Sequence, residues 1–348
     1  MSALLWFLDG AGNQYPAAGP AWCADDGSPF ILQPTIDELS EIDFSLVSIG
    51  ESPTPVVPFR VAGRDYQCKL ECRRPSGSFK DRGARMMVSV LKGLGVSAVV
   101  EDSSGNAGAA LATYTAAGGI ACTIVIPRSA RGPVVTQIRM TGARLVRTSG
   151  PRHCATELAQ QMAGELYYAS HIYNPLFYAG TARIAGELID QRSVPDTIVL
   201  PVGNGTLLLG LYHGFKRRGP VPRLIAGQLA GMDPITTEFR RRAGGAQSGK
   251  HGTRSAARLA ARVAPGIAAS HPARLQEIVD AIVETGGEAV SVEAPAVIGA
   301  QRTLAERGVY VESTSAVAVA VAEAVDAAGR FGADERVMIV LTGSGLKR

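Results

Sequence analysis

Cysteine is scarce in this sequence and unevenly placed, with five residues at positions 23, 68, 72, 122 and 154. An odd count with irregular spacing excludes a disulfide framework and leads us to expect a reducing, cytoplasmic setting. Cys68 and Cys72, four apart in an alternating segment, read as buried thiols on one face of a strand. Net charge is also small, with 35 Lys and Arg against 31 Asp and Glu. The one basic stretch, Arg240 to Arg262, is mixed with Gly, Ser and Ala and reads as a solvated loop and helix edge. It has neither a basic stripe nor interleaved aromatics, so no nucleic-acid partner is expected. No apolar run is long enough to span a bilayer, so no membrane partner is expected either. The N-terminus lacks the charge and apolar run of a secretory leader, and no internal period indicates a solenoid.

What is present is glycine, 40 residues of it, in a chain of 348 residues that is 46% hydrophobic. The length suits two domains with sizeable cores. The glycines sit beside apolar runs rather than in a repeat, as tight strand-to-helix turns require. Residues 1–45 are turn-rich and aperiodic, and are expected to wrap the surface or pack on a partner subunit. From about Leu46 strands and helices alternate, with strands predicted at Gln67–Cys72, Ala98–Glu101, Cys122–Ile126, Thr197–Pro201 and Val337–Leu341 among others. Helices are predicted at Asp81–Leu94, Ala107–Ala117, Thr181–Gln191 and Leu207–Arg217. This alternation predicts an α/β fold of parallel sheets covered by helices, with ligands at the carboxyl ends of the strands.

Four glycine-containing segments lie just after predicted strands. In Pro75-Ser-Gly-Ser-Phe-Lys80-Asp-Arg-Gly83 a lysine stands at a helix start. The helix dipole and burial both disfavour its charged form there, and a neutral amine is what Schiff-base chemistry needs. The alternative is a surface lysine, for which a helix N-terminus is a poor place. In Asp102-Ser-Ser-Gly-Asn-Ala-Gly108, exposed N–H groups around Gly105 and Ala107 and the hydroxyls of Ser103 and Ser104 make an anion site suited to a carboxylate. Asn106 there offers a donor to a phenolate-like oxygen, although the segment also reads as a simple helix cap. In Pro201-Val-Gly-Asn-Gly-Thr206, Gly203 and Gly205 let the backbone approach a phosphate, with Asn204 and Thr206 adding polar contacts. The spacing is neither a dinucleotide fingerprint nor a P-loop. In Leu341-Thr-Gly-Ser-Gly345, Thr342 can meet a ring nitrogen with a neutral hydroxyl.

Taken together, in this order, these segments resemble the pyridoxal-phosphate (PLP) enzymes of fold type II, the tryptophan synthase β-subunit-like family, and within it the threonine synthase-like members. The resemblance runs from about Pro53 to the end, most specifically in Gly77-Ser-Phe-Lys80-Asp-Arg-Gly83, Ser103-Ser-Gly-Asn106, Pro201-Val-Gly-Asn-Gly205 and Thr342-Gly-Ser-Gly-Leu-Lys347. It implies pyridoxal 5'-phosphate as cofactor, in a cleft between two parallel-sheet α/β domains. Lys80 would be the Schiff-base lysine and base, beside Phe79. Asn106 would meet the ring oxygen, Gly203, Asn204, Gly205 and Thr206 the phosphate, and Thr342 the ring nitrogen. It further implies a large cofactor domain (46–88 and 178–348), a small mobile domain (89–177) and a homodimer. Residues 1–45 resemble a zinc-ribbon-like start, but only Cys23 remains there, so no metal is expected.

Three departures bear on the substrate. Val134 and Phe177 stand where many threonine synthases carry a lysine and an arginine that help bind the phosphate of O-phosphohomoserine. The element after Gly180-Thr181 continues as Ala182-Arg183, and Arg183 is a candidate replacement cation. The expected activity is therefore a threonine synthase-like lyase or replacement reaction on an amino acid, either with a leaving group other than phosphate or with a substrate that is larger and less charged. β-Elimination or β-replacement on serine, threonine or an O-substituted serine is the enzymatic alternative, and a non-catalytic binding protein on the same fold is another. His171 and Tyr173, just before Asn174-Pro175, are candidates for contacting the variable part of the substrate.

Overall fold

A computed structural model describes residues 5–33, 45–244 and 254–347. The strands are β1 (Trp6–Leu8), β2 (Gln14–Pro16), β3 (Ile31–Gln33), β4 (Val56–Val61), β5 (Arg64–Lys69), β6 (Ala98–Glu101), β7 (Ala121–Pro127), β8 (Arg144–Thr148), β9 (Tyr167–Tyr168), β10 (Thr197–Pro201), β11 (Arg223–Leu229), β12 (Glu288–Val292) and β13 (Val337–Val340). The helices are α1 (Lys80–Gly93), α2 (Asn106–Gly118), α3 (Pro133–Met140), α4 (Arg152–Met162), α5 (Leu176–Thr181), α6 (Arg183–Asp190), α7 (Thr206–Arg218), α8 (Pro234–Arg242), α9 (Arg254–Val263), α10 (Leu275–Glu284), α11 (Ala294–Glu306) and α12 (Ser313–Ala327). The chain forms two compact units. The first comprises Met1–Ser52, Arg74–Arg183 and Lys347–Arg348, and the second Pro53–Arg73 and Ile184–Leu346.

The first unit is built on a four-stranded parallel sheet of order β8-β7-β6-β9. Its central strands are continuous apolar runs because helices cover both faces: Val99, Val100, Ile124, Val125 and Ile126 are all fully buried. The small residues of α2 let helices approach closely, and α1 packs on α2 and α5. That packing explains why the boundaries differ from the expected ones at 88/89 and 177/178. The helix opened by Lys80 buries Met87, Val88 and Leu91 in the core that also holds Leu111 and Phe177. The N-terminal segment differs from expectation too. Its described part is a three-stranded antiparallel sheet of order β2-β1-β3. Leu5, Phe7 and Phe30 of this segment belong to the core of the first unit, so its described part is built into that unit rather than laid over its surface.

The second unit carries a six-stranded sheet of order β12-β11-β10-β13-β5-β4, parallel except for β4. The β4–β5 hairpin turns at Ala62 (φ 48) and Gly63 (φ 89), the two positive φ values that a two-residue turn matched to strand twist demands. Strand β5 ends at Lys69, and Cys72 falls in a 3-10 turn, Glu71–Arg73. Cys68 is therefore a buried strand thiol, whereas Cys72 lies beyond the strand, partly buried against the same core. The helix expected over Thr181–Gln191 is two, α5 and α6, breaking at Ala182. The basic stretch holds helices α8 and α9 at its ends, while residues 245–253 lie outside the described residues. No helix among the described residues is long and apolar enough to cross a membrane.

Candidate active site

Lys80 is the first residue of α1 and is half-buried. Its Nζ lies 4.8 Å from the ring centroid of Phe79 and 5.4 Å from that of Phe177. Phe177 is itself fixed by Gly83: a Cβ there would fall 2.3 Å from the phenyl ring, so only glycine lets α1 sit on it. The loop before the helix is locked by Asp81, fully buried, which accepts hydrogen bonds from the Ser76 amide (2.7 Å) and the Ser76 hydroxyl. Burial pushes the Asp81 carboxyl up to about 6 in spite of those hydrogen bonds. Gln137 on α3 donates to the Ser76 carbonyl at 3.1 Å, tying the same loop from the other side.

The Ser103–Asn106 loop joins the carboxyl end of β6 to α2. The Ser103 hydroxyl accepts from the Gly105 amide at 3.3 Å. A Cβ at Gly108 would lie 1.9 Å from the Ser103 carbonyl oxygen, so the helix packs on its own entry loop only because position 108 is glycine. Ser104, Gly105 and Asn106 are half-buried and Ala107 is buried. Behind the loop stands Asp102, 1% exposed. It accepts from Tyr168 at 2.8 Å, from Arg152 at 3.2 Å and from Thr156.

The strand residue before it, Glu101, is also 1% exposed and meets His171 Nδ1 through Oε1 at 2.7 Å. His171 follows β9, the neighbour of β6, and its ring is edge-on to Phe177 at 5.8 Å. The first unit thus gathers Lys80, Phe79, Phe177, His171 and Glu101 in one polar–aromatic cluster. Tyr173 is placed differently: its ring packs edge-on against Trp22 at 4.9 Å. The Asn174 side-chain carbonyl accepts from the Leu176 amide at 3.0 Å, bracing the turn into α5. Val134 and Phe177 are buried core residues, and Arg183 is exposed at the start of α6. Glu101 had no role in the sequence reading. Its signal is an acidic residue closing an apolar strand beside a glycine loop, and its histidine partner is 70 residues away.

In the second unit two loops leave the carboxyl ends of adjacent strands, β10 and β13. Gly203 is pressed on the 264–268 segment, where a Cβ would meet Ile267 Cα at 2.8 Å. Gly205 has φ +81 and would meet Ile278 at 2.4 Å. These two positions let the backbone run close and open α7, with Thr206 3% exposed. Asn204 between them is half-buried. Thr342 is 2% exposed, and its hydroxyl is 2.9 Å from that of Ser315, which in turn accepts from the Gly343 amide at 2.8 Å.

These residues fit pyridoxal phosphate. The first unit has an amine against aromatic faces; the second has, by itself, a glycine cradle that a single Cβ would obstruct at a helix N-terminus and a buried neutral hydroxyl. The comparisons agree. Residues 47–343 match the family described as pyridoxal-phosphate dependent enzyme, and the chain belongs to it. It is a PLP-dependent lyase of threonine synthase-like character. The threonine synthase of Methanocaldococcus jannaschii is 31% identical over 87% of this chain and 76% of that protein. That of Methanosarcina acetivorans is 31% identical over 89% of this chain and 78% of its own length. Among solved structures, maize serine racemase superposes with a TM-score of 0.71 at 23% identity, covering 89% of this chain and 92% of that one, a likeness of fold.

Proposed function

We propose that the protein performs a threonine synthase-type elimination and addition on a small amino acid whose leaving group is not a phosphate. The observation that carries this is the character of positions 134 and 177. Where the family resemblance implies phosphate-binding cations, Val134 and Phe177 are buried apolar side chains, and Arg183 is exposed. A dianion in a dry pocket without partners would be costly to bind.

Bound pyridoxal phosphate supplies an electron sink at the substrate's Cα. Lys80 would hold the cofactor covalently at rest, and its Nζ, once released by the substrate's amine, would take and return the Cα proton. Phe79 and Phe177 keep water from that amine. Ser103, Ser104, Gly105, Asn106 and Ala107 bind the substrate carboxylate and the cofactor's ring oxygen through N–H and side-chain donors. Gly203–Thr206 would hold the cofactor phosphate, and Thr342 would meet the ring nitrogen with its hydroxyl. A cytoplasmic homodimer is part of the same reading, supported by five free cysteines and by the family resemblance.

The test is to load the protein with pyridoxal phosphate and record its visible spectrum. O-phospho-L-homoserine is then offered, with assays for phosphate and threonine and with Lys80→Ala as control. The expected result is a cofactor band that depends on Lys80, without threonine. Lys80-dependent threonine formation would overturn the reading of the leaving group.

A further inference from the structure

The Glu101–His171 pair has features that packing alone does not require. It lies at the carboxyl ends of adjacent strands β6 and β9, one residue from Asp102 and the Ser103–Asn106 loop. Glu101 is 1% and His171 8% exposed, and the contact between Oε1 and Nδ1 is 2.7 Å. The second carboxyl oxygen, Glu101 Oε2, is buried with no hydrogen-bond partner among the described residues. An ionised carboxylate with one oxygen left bare in a dry site is expensive; a neutral carboxylic acid is far less so. In the neutral pair the acid proton sits between Oε1 and Nδ1, and the imidazole's own proton must then be on Nε2. The His171 ring rests on the edge of Phe177, whose face lies 5.4 Å from Lys80 Nζ.

We infer that Glu101 and His171 form a proton-relay pair that protonates a departing hydroxyl, so the substrate is an amino acid carrying a free hydroxyl at Cβ or Cγ. The inference rests on the reading of the leaving group above and narrows it. When the C–O bond breaks, its electron pair stays on oxygen and the proton on His171 Nε2 joins it, so water leaves. The carboxyl proton of Glu101 moves to Nδ1, and the pair passes from neutral to one negative charge. An incoming nucleophile that carries a proton gives it to Nε2, and the Nδ1 proton returns to Oε1. Hydroxide is a poor leaving group and needs this proton, whereas phosphate does not.

The charged and titratable neighbours suit the cycle. Asp102, the residue after β6, opposes a negative charge on Glu101 and favours the neutral resting pair, while Arg152 from α4, Lys80 from α1 and the His171 backbone amide favour the negative state reached in the cycle; Tyr168 from β9 is bound to Asp102. Burial raises the Glu101 carboxyl well above its ordinary value and lowers the His171 imidazole well below its own, as a neutral pair requires.

Two readouts test this. In the protein labelled with 15N at histidine, His171 should carry its proton on Nε2 at neutral pH, a tautomer fixed by Glu101. A proton on Nδ1 with a bare Nε2 would overturn the relay whatever the activity. In the holoenzyme, L-serine, L-threonine and L-homoserine are compared with β-chloro-L-alanine, whose chloride leaves without a proton. Glu101→Gln and His171→Gln should keep the cofactor absorbance and cut hydroxyl elimination by about 100-fold or more. Chloride elimination should stay within about threefold, a split that loss of packing alone does not produce. Equal losses on both substrate types would sink the proposal. A wild-type enzyme that eliminates chloride but uses neither a hydroxy amino acid nor O-phospho-L-homoserine would sink the relay and leave the leaving-group reading standing. One that makes threonine from O-phospho-L-homoserine and ignores hydroxy amino acids would sink both.

Discussion

The Ser103–Asn106 and Gly203–Thr206 loops do the same local work, each joining a buried parallel strand to a helix of 13 residues, yet they are held by opposite means. The first is held from behind by charge. Asp102 gathers Arg152, Thr156 and Tyr168, and the strand end it shares with Glu101 is acidic and buried. The second is held by shape, with Gly203 on Ile267 and Gly205 on Ile278. A loop fixed by buried carboxylates is directional and sensitive to protonation, which suits a place where protons move. A loop fixed by aliphatic contact is indifferent to pH, which suits an anchor for a permanently charged phosphate.

The contrast breaks most severely at Gly108. Its Cβ would sit 1.9 Å from a backbone oxygen, and neither backbone can yield, so Gly108→Ala should destabilise the protein by roughly 3 kcal/mol or more. Denaturant unfolding measures this, and a loss under about 1 kcal/mol would refute the close approach of α2 to its entry loop.

A second effect tests whether protonation matters in the first unit. Asp81 is raised from 3.8 to about 6 by burial, so its neutral form is favoured in the folded chain. The stability it contributes is present in full below pH 3.8 and is lost as pH rises through about 6. Asp81→Asn lacks this loss, so its stability relative to wild type should improve by on the order of 2–3 kcal/mol between pH 4 and pH 7.5. A difference that does not vary with pH would place Asp81 in a wetter setting.

The smallest effect sharpens the other side. Gly205→Ala meets only the flexible end of Ile278, but it must hold φ +81. A cost of about 1–2 kcal/mol is expected, read as weaker cofactor binding in a spectroscopic titration, with no dependence on pH from 5 to 8. Pronounced pH dependence would erase the distinction between the two loops.

Much of this was legible in the chain. Strands β6 and β10 and helices α2 and α7 follow from apolar runs bounded by turn residues, and the four glycine segments fall where strand-to-helix turns demand them. Strand β4 and the hairpin turn at Ala62–Gly63 were not among the elements expected from the sequence. Other features were not legible because they depend on partners distant in sequence. The N-terminal sheet has short strands with little periodicity, and Leu5, Phe7 and Phe30 find their core only by packing with residues such as Val88 and Tyr114. The hydrogen bond from the Leu176 amide to Asn174 and the packing of Tyr173 on Trp22 likewise depend on the folded chain.

By itself the sequence determined the α/β alternation, the lysine at a helix start, the glycine cradle and the kind of cofactor they suit, because these rest on local periodicity and on backbone conformations that few residues allow. Only the tertiary structure decided what surrounds them. It put Phe177 under Lys80 and Asp102 behind the serine loop, and it joined Glu101 to His171 across 70 residues. Burial and the pairing of charges are properties of neighbours in space, and no local pattern encodes them.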